Sequence, residues 1–243
     1  MSRRMPMWLG WPLALVVIVL FCSLGQWQLG RAKQKEAMLA ASQKVLRERR
    51  PLPMVSASDA ARRLEFDWTA GEGRFLPGPA ILLDNQIRDG RAGVRVYRAF
   101  QPSQGAPLLV ELGWLPLPSD RHLPEVMLPQ GAQALRGLLA PPPSAGISRA
   151  MPVRQAHGDL LATGLHPESL AAALELPTLA PRVLKLDPQL SLGYTRDLDI
   201  LPNTLPPERH LGYAVQWFGL ALAVLITALV LTLRVRRRRQ KRQ

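Results

Sequence analysis

Arg209-His210-Leu211-Gly212-Tyr213-Ala214-Val215-Gln216-Trp217-Phe218 opens the last apolar run of the chain, and the rest is read outward from it. The run, 211–233, holds 23 residues without a formal charge. At about 1.5 Å of rise per residue it is long enough to cross a hydrocarbon core of roughly 30 Å. The ten residues after it include seven cations, from Arg234 to Arg242. A histidine, a tyrosine, a glutamine and a tryptophan crowd its first two turns, at the end away from those cations. Polar groups at membrane depth are costly, so they raise a functional question by default. The bland alternative is an aromatic anchor at the interface with a capping histidine.

A second apolar run, 8–24, lies near the start and spans 17 residues behind Arg3 and Arg4. Its length and the following Trp27 favour an uncleaved anchor over a signal peptide. The net charge of +13 is concentrated at the two ends of the chain. Two of the 31 cations precede the first run and seven follow the last, so the middle, with all 18 acidic residues, nets only +4. That distribution implies no nucleic-acid partner; it suits anionic membrane lipids and the rule that cytoplasmic flanks are positive. An even number of spans then puts both termini in the cytoplasm and the middle, in a bacterium, in the periplasm. The lone Cys22 excludes an intrachain disulfide, and no CxxCH or CxxC is present for covalent haem or thiol redox chemistry.

Residues 31–50 favour helix, and no proline interrupts them before Pro51. From Pro51 to Pro206 prolines and glycines part short apolar segments. Strands are expected over 64–75, 81–85, 94–100, 108–114, 134–139 and 183–186, with alternation placing Leu108, Val110, Leu112 and Trp114 on one face. Asp89-Gly90 suits a hairpin, and 167–176 suits a small helix. The expected fold is a membrane-anchored α+β protein: two transmembrane helices flanking a mostly antiparallel β periplasmic domain, flat or partly closed, with a small helix. Its division is a cytoplasmic start (1–7), a membrane helix (8–27), a helical extension (28–50), the β-rich domain (51–208), a second membrane helix (209–233) and a basic tail (234–243).

The residues give little support for an enzyme. His122, His157 and His166 lack metal-ligand spacing, and no nucleophile elbow, phosphate loop or dinucleotide fingerprint occurs. The Asp197 and Asp199 pair reads as solvated loop. Topology, however, brings Gln26, Trp27, Gln28 and Arg31 to the same depth as Arg209, His210, Tyr213, Gln216 and Trp217. On the second helix His210, Tyr213 or Ala214, and Trp217 fall on one face. An imidazole among aromatics and arginines, half in lipid, suits an amphipathic cofactor whose iron takes the histidine and whose acidic groups meet the guanidinia. The pattern permits this without requiring it.

Residues 24–35, Leu-Gly-Gln-Trp-Gln-Leu-Gly-Arg-Ala-Lys-Gln-Lys, resemble the opening signature of the surfeit locus protein 1 family. Gly113-Trp114 after an apolar strand resembles its mid-chain pair, and 209–218 its closing signature. The chain departs from the family pattern at Glu111-Leu112, where an Asn-Arg pair is usual, and at Ala92-Gly93-Val94, where Pro-Gly-Tyr is common. The resemblance implies an assembly factor, not an enzyme, for haem-copper cytochrome c oxidase in the bacterial inner membrane. Its implied partners are oxidase subunit I and the haem a synthesis enzymes. The implied cofactor is haem a with His210 as iron ligand, and Arg209, Tyr213, Trp217, Trp27 and Arg31 are the candidate residues around it. The alternative is a haem-free scaffold that stabilises oxidase assembly intermediates.

Overall fold

The computed structural model describes residues 7–143, 151–202 and 204–240. Two long helices, α1 (Met7–Glu48) and α3 (Pro207–Gln240), flank a sheet-rich region that holds one short helix, α2 (Pro167–Ala173). The chain divides into two compact units, one formed by its two ends up to Met38 and from Leu205, the other by Leu39–Thr204.

In the first unit the two helices run antiparallel, side by side. Near one end Trp11 Nε1 donates to Thr232 Oγ1 at 3.0 Å. Midway, the rings of Phe21 and Trp217 lie 5.5 Å apart. The Phe218 ring covers Gly25 so closely that a Cβ there would meet three ring atoms, the nearest at 2.8 Å. At the other end Gln28 meets His210, and Lys35 Nζ donates to the Leu205 carbonyl. Small residues let the backbones approach: Ala32, Ala214 and Ala221 are buried together with Gly25. The outer faces carry Leu13, Val16, Val19 and Leu20 on α1 and Leu222, Ile226 and Leu229 on α3, all well exposed. Both helices are long and apolar enough to cross a membrane. At 42 residues, α1 is about 63 Å long, twice the hydrocarbon thickness, so it continues well beyond any bilayer it crosses.

Among the described residues the second unit is built from nine strands. They are β1 (Pro51–Pro53), β2 (Asp67–Phe75), β3 (Ile81–Arg88), β4 (Arg91–Pro102), β5 (Leu108–Pro116), β6 (Ala132–Ala140), β7 (Val153–Arg154), β8 (Leu160–Ala162) and β9 (Val183–Leu186). Their order is β1-β2-β6-β9-β5-β4-β3-β8-β7, and a further β2–β4 pairing closes β2, β6, β9, β5 and β4 into a ring. Six of the strand pairings are antiparallel, so the expected mostly antiparallel, partly closed sheet is what forms; β1–β2, β3–β8 and β5–β9 are parallel. The β3–β4 hairpin turns at Asp89-Gly90, both at positive φ (50° and 74°), as a tight two-residue turn requires. Leu82, Val94, Val96, Phe100, Leu108, Val110, Leu112, Leu139 and Leu184 fill one core. A second core on the other face joins Ile81, Tyr97, Leu109 and Val183 to Leu165 and to Leu170 of α2.

Trp114 departs from its expected face. Pairing slips between Val96 and Tyr97, where Gly113 and Glu111 are successive partners, so Leu112 is one residue too many on β5. Gly113 takes φ 129°, a backbone state that side chains disfavour. The bulge flips the alternation: Leu112 and Leu115 both belong to the first core, while Trp114 pairs with Arg95 on the other face and donates to the Gln86 carbonyl at 3.0 Å.

That second face carries a buried charge cluster. Glu111 Oε1 takes Arg95 Nη1 at 2.5 Å; its Oε2 takes Lys185 Nζ at 2.8 Å and the Tyr97 hydroxyl at 2.9 Å. All four residues are at least 95% buried. Burial is the strongest influence on Glu111 and pushes its carboxyl upward, but the charges of Lys185 and Arg95 and the hydrogen bonds from Lys185 and Tyr97 outweigh it and hold it below its ordinary range. The Tyr97 hydroxyl is pushed well up, by burial first and the Glu111 charge second. A second buried cation, Arg182, binds Asp67 at 2.6 Å and the Ser56 carbonyl.

Candidate functional site

His210 enters the helix pair on the first turn of α3. Pro207 starts that helix without needing an N–H partner, and Glu208 complements the positive helix end. One turn of helix aims the imidazole at α1, where Nδ1 lies 2.7 Å from Gln28 Oε1. The residue is 7% exposed, and among the described residues its buried Nε2 has no hydrogen-bond partner. A buried imidazole with one nitrogen held and the other unpartnered is unusual, because buried polar atoms nearly always find partners.

The neighbours are sorted by helical phase. Gln28 and Ala32 on α1, and His210 and Ala214 on α3, are the inward positions. Trp27, Arg31, Arg209 and Tyr213 each stand one residue before one of these, turned away by about 100°. Because the helices are antiparallel, the same rotation carries both sets to the same flank of the pair. Along the axis the four lie within about 9 Å. All four are exposed, Trp27 by 56% and Tyr213 by 40%. Arg31 Nη1 spends one contact on Gln34 Oε1 at 3.1 Å. Of the two residues the periodicity left open, Ala214 takes the inward place and Tyr213 the outward one. Trp217 lies against Phe21, two turns deeper than His210. The geometry is thus a sealed histidine with a mixed aromatic and cationic flank beside it.

Gln28, expected from topology at the depth of His210, turns out to be its direct partner. It sits in a Gln-Trp-Gln triplet, and only the phase set by Gly25 and Ala32 shows which glutamine faces inward. In the sheet unit a cleft of about 490 Å³ is lined by Arg98, Arg154, His157 and Asp159, among others. Its polar groups mainly hold loops: Arg98 donates to the Gly78 and Val126 carbonyls, and Asp159 accepts the Ala80 N–H at 2.7 Å. Asp197, read from sequence as solvated, pairs with Arg88 at 2.5 Å. Among the described residues no group of three or more His, Cys, Asp or Glu side chains is placed to hold a metal ion.

Two long apolar helices before and after a mostly antiparallel sheet in the chain, with a histidine held between the helices, define a membrane-anchored α+β protein with a polar site in its helix pair. The chain belongs to the SURF1 family, whose sequence pattern it matches over residues 15–222. It is 24% identical over 224 residues to a SURF1-like protein of Rickettsia felis, covering 87% of this chain and 92% of that protein. A SURF1-like protein of Rickettsia conorii is 24% identical over 222 residues, 88% of this chain and 87% of that one. The cytochrome oxidase assembly protein SHY1 of Saccharomyces cerevisiae is 29% identical over 128 residues, 50% of this chain but 32% of its own length.

The helix register gives the first prediction. In a chain lacking Cys22, cysteines replacing Gln28 and His210 are expected to join efficiently through a short bifunctional thiol reagent in membranes. Cysteines at Gln28 and Leu229 are expected not to, because 229 lies nineteen residues, about 28 Å, further along α3. Equal yields from the two pairs rule out the register described above.

Proposed function

We propose that this chain acts in cytochrome oxidase assembly and holds haem a at the membrane interface through His210, aiding its insertion into oxidase subunit I. Membership of the SURF1 family and similarity to the yeast cytochrome oxidase assembly protein support the assembly role. The observation that carries the cofactor reading is the unpartnered Nε2 of His210. A neutral imidazole nitrogen is a suitable haem-iron ligand, so the donor chemistry fits. Arg31 and Arg209 offer charge-assisted hydrogen bonds to propionates, and Trp27 and Tyr213 offer ring faces beside lipid. Bound haem a would supply the iron and the macrocycle; the chain's own residues orient it and keep it at the interface until transfer. Partners under this reading are subunit I and the enzymes that make haem a.

Nε2 is closed from solvent as the helices stand, so ligation requires the groups that cover it to move. The same closure favours, as a second reading, a haem-free scaffold that steadies oxidase intermediates. Purification of the full chain from cells making haem a separates the two: a haem a spectrum supports the first reading, and its absence alongside restored oxidase assembly supports the second.

By the rule that cytoplasmic flanks are positive, the basic tail and paired spans support an orientation with both termini in the cytoplasm and the sheet domain in the periplasm. Cysteine at Met127, an 83% exposed position, is therefore expected to react with a membrane-impermeant thiol reagent added to the periplasmic side. Cysteine at Gln240 is expected to react only after the membrane is opened. The reverse labelling pattern removes this orientation.

A further inference from the structure

We propose that Gln28 is the positioning residue of this site: its side-chain oxygen holds His210 in the Nδ1–H tautomer and reserves the Nε2 lone pair for a ligand. This rests on the haem reading above and assigns a role that the reading does not contain. The carboxamide oxygen stands 2.7 Å from Nδ1, so in this arrangement Nδ1–H donates and Oε1 accepts. Nε2 is then a bare lone pair, which agrees with a buried atom that has no partner. The opposite tautomer would leave an N–H donor buried and unmet, and would set two acceptors against each other at 2.7 Å unless the amide flipped.

The choice of an amide follows from depth. Ligating histidines commonly give their second N–H to a carbonyl or carboxylate, which fixes the tautomer and the ring orientation. A carboxylate would also add a charge where charge is expensive. A glutamine orients the ring while keeping the pair neutral. Its place on α1 has a second consequence: the group that orients the ligand comes from the opposite helix, so the tautomer is fixed only while the helices are docked. Ligation therefore has to open a way to Nε2 while Gln28 still holds Nδ1.

The test uses the full chain in detergent micelles with nitrogen-15 histidine, free of haem, with the His210 signals identified by their loss in His210→Ala. The parent chain is expected to show the Nδ1–H tautomer. Gln28→Leu is expected to lose that tautomer and to bind added haem a about 10–100-fold more weakly. Gln28→Glu is expected to keep the tautomer and the binding and to lower the haem reduction potential, since a carboxylate partner makes the imidazole a stronger donor. An Nε2–H tautomer in the parent overturns the proposal whatever the haem result. Gln28→Leu that binds as tightly as the parent, while His210→Ala does not bind, removes the role of Gln28 and leaves the haem reading intact. Equal haem binding by the parent and His210→Ala overturns the haem reading and, with it, any role of Gln28 toward iron.

Discussion

His210→Ala is expected to insert and fold like the parent chain but to retain about 100-fold less haem a when both are produced with haem a synthesis enzymes. Changing even the partner of a ligating histidine costs about 10–100-fold, and removing the ligand costs at least as much. The substitution deletes a side chain on the first turn of α3 and leaves the lipid-facing residues of 211–233 untouched, so membrane extraction is expected to be unchanged. Trp217→Phe keeps a ring against Phe21 and is expected to be mild. Arg31→Ala and Arg209→Ala each remove one candidate propionate partner from the exposed flank and are expected to weaken retention partially. A full, unshifted haem a spectrum in His210→Ala rejects the ligand assignment. A parent chain that carries no haem yet restores oxidase assembly replaces the carrier reading with the scaffold.

The second large effect is expected in the sheet unit. Glu111→Leu leaves Lys185 buried without its counter-charge and Arg95 with only the more distant Asp197 at 3.8 Å, and breaking a buried pair in this way costs roughly 3–5 kcal/mol. Denaturant unfolding of the full chain in detergent, followed by tryptophan fluorescence, measures the loss. Replacing Arg95 and Lys185 by methionine in the same chain is expected to recover most of it, because no uncompensated charge remains. Recovery in the triple variant separates a charge effect from a packing defect; a Glu111→Leu chain as stable as the parent rejects the account. The pH dependence has a fixed sign. The carboxyl of Glu111 is held below its unfolded value, so its contribution is fully present above the unfolded value and fades as pH falls through the folded one. Acid unfolding of Glu111→Leu is therefore expected to lack part of the parent's slope below the ordinary carboxylate range.

Glu111 also shows how far the sequence could be read. A charged residue in an otherwise apolar strand is visible at once, but its partners lie on β4 and β9, and Lys185 is 74 residues away. The longer strands were legible because their alternation is local. The two- and three-residue strands β7, β8 and β1 carry no periodicity, and the ring closure between β2 and β4 depends on contacts that no local pattern encodes. Trp114 was misplaced because a single extra residue inverts everything after it. The helix pair was more readable: topology alone brought His210 to the depth of Trp27 and Arg31. Phase then decided what composition could not, turning Gln28 inward beside two more conspicuous neighbours.

The short strand β1 sets a limit on how this sheet meets other proteins. It lies at one end of the strand order, where an outside chain would ordinarily add itself by backbone pairing. Pro51 and Pro53 occupy two of its three positions, and neither has an N–H to offer. A visiting strand would find at most one amide donor, at Leu52, and two pyrrolidine rings. Growth of the sheet from one molecule to the next is blocked at that margin, as is recruitment of a partner by strand addition. Recognition there must instead use side chains, which can tell one partner from another in a way that a bare backbone ladder cannot.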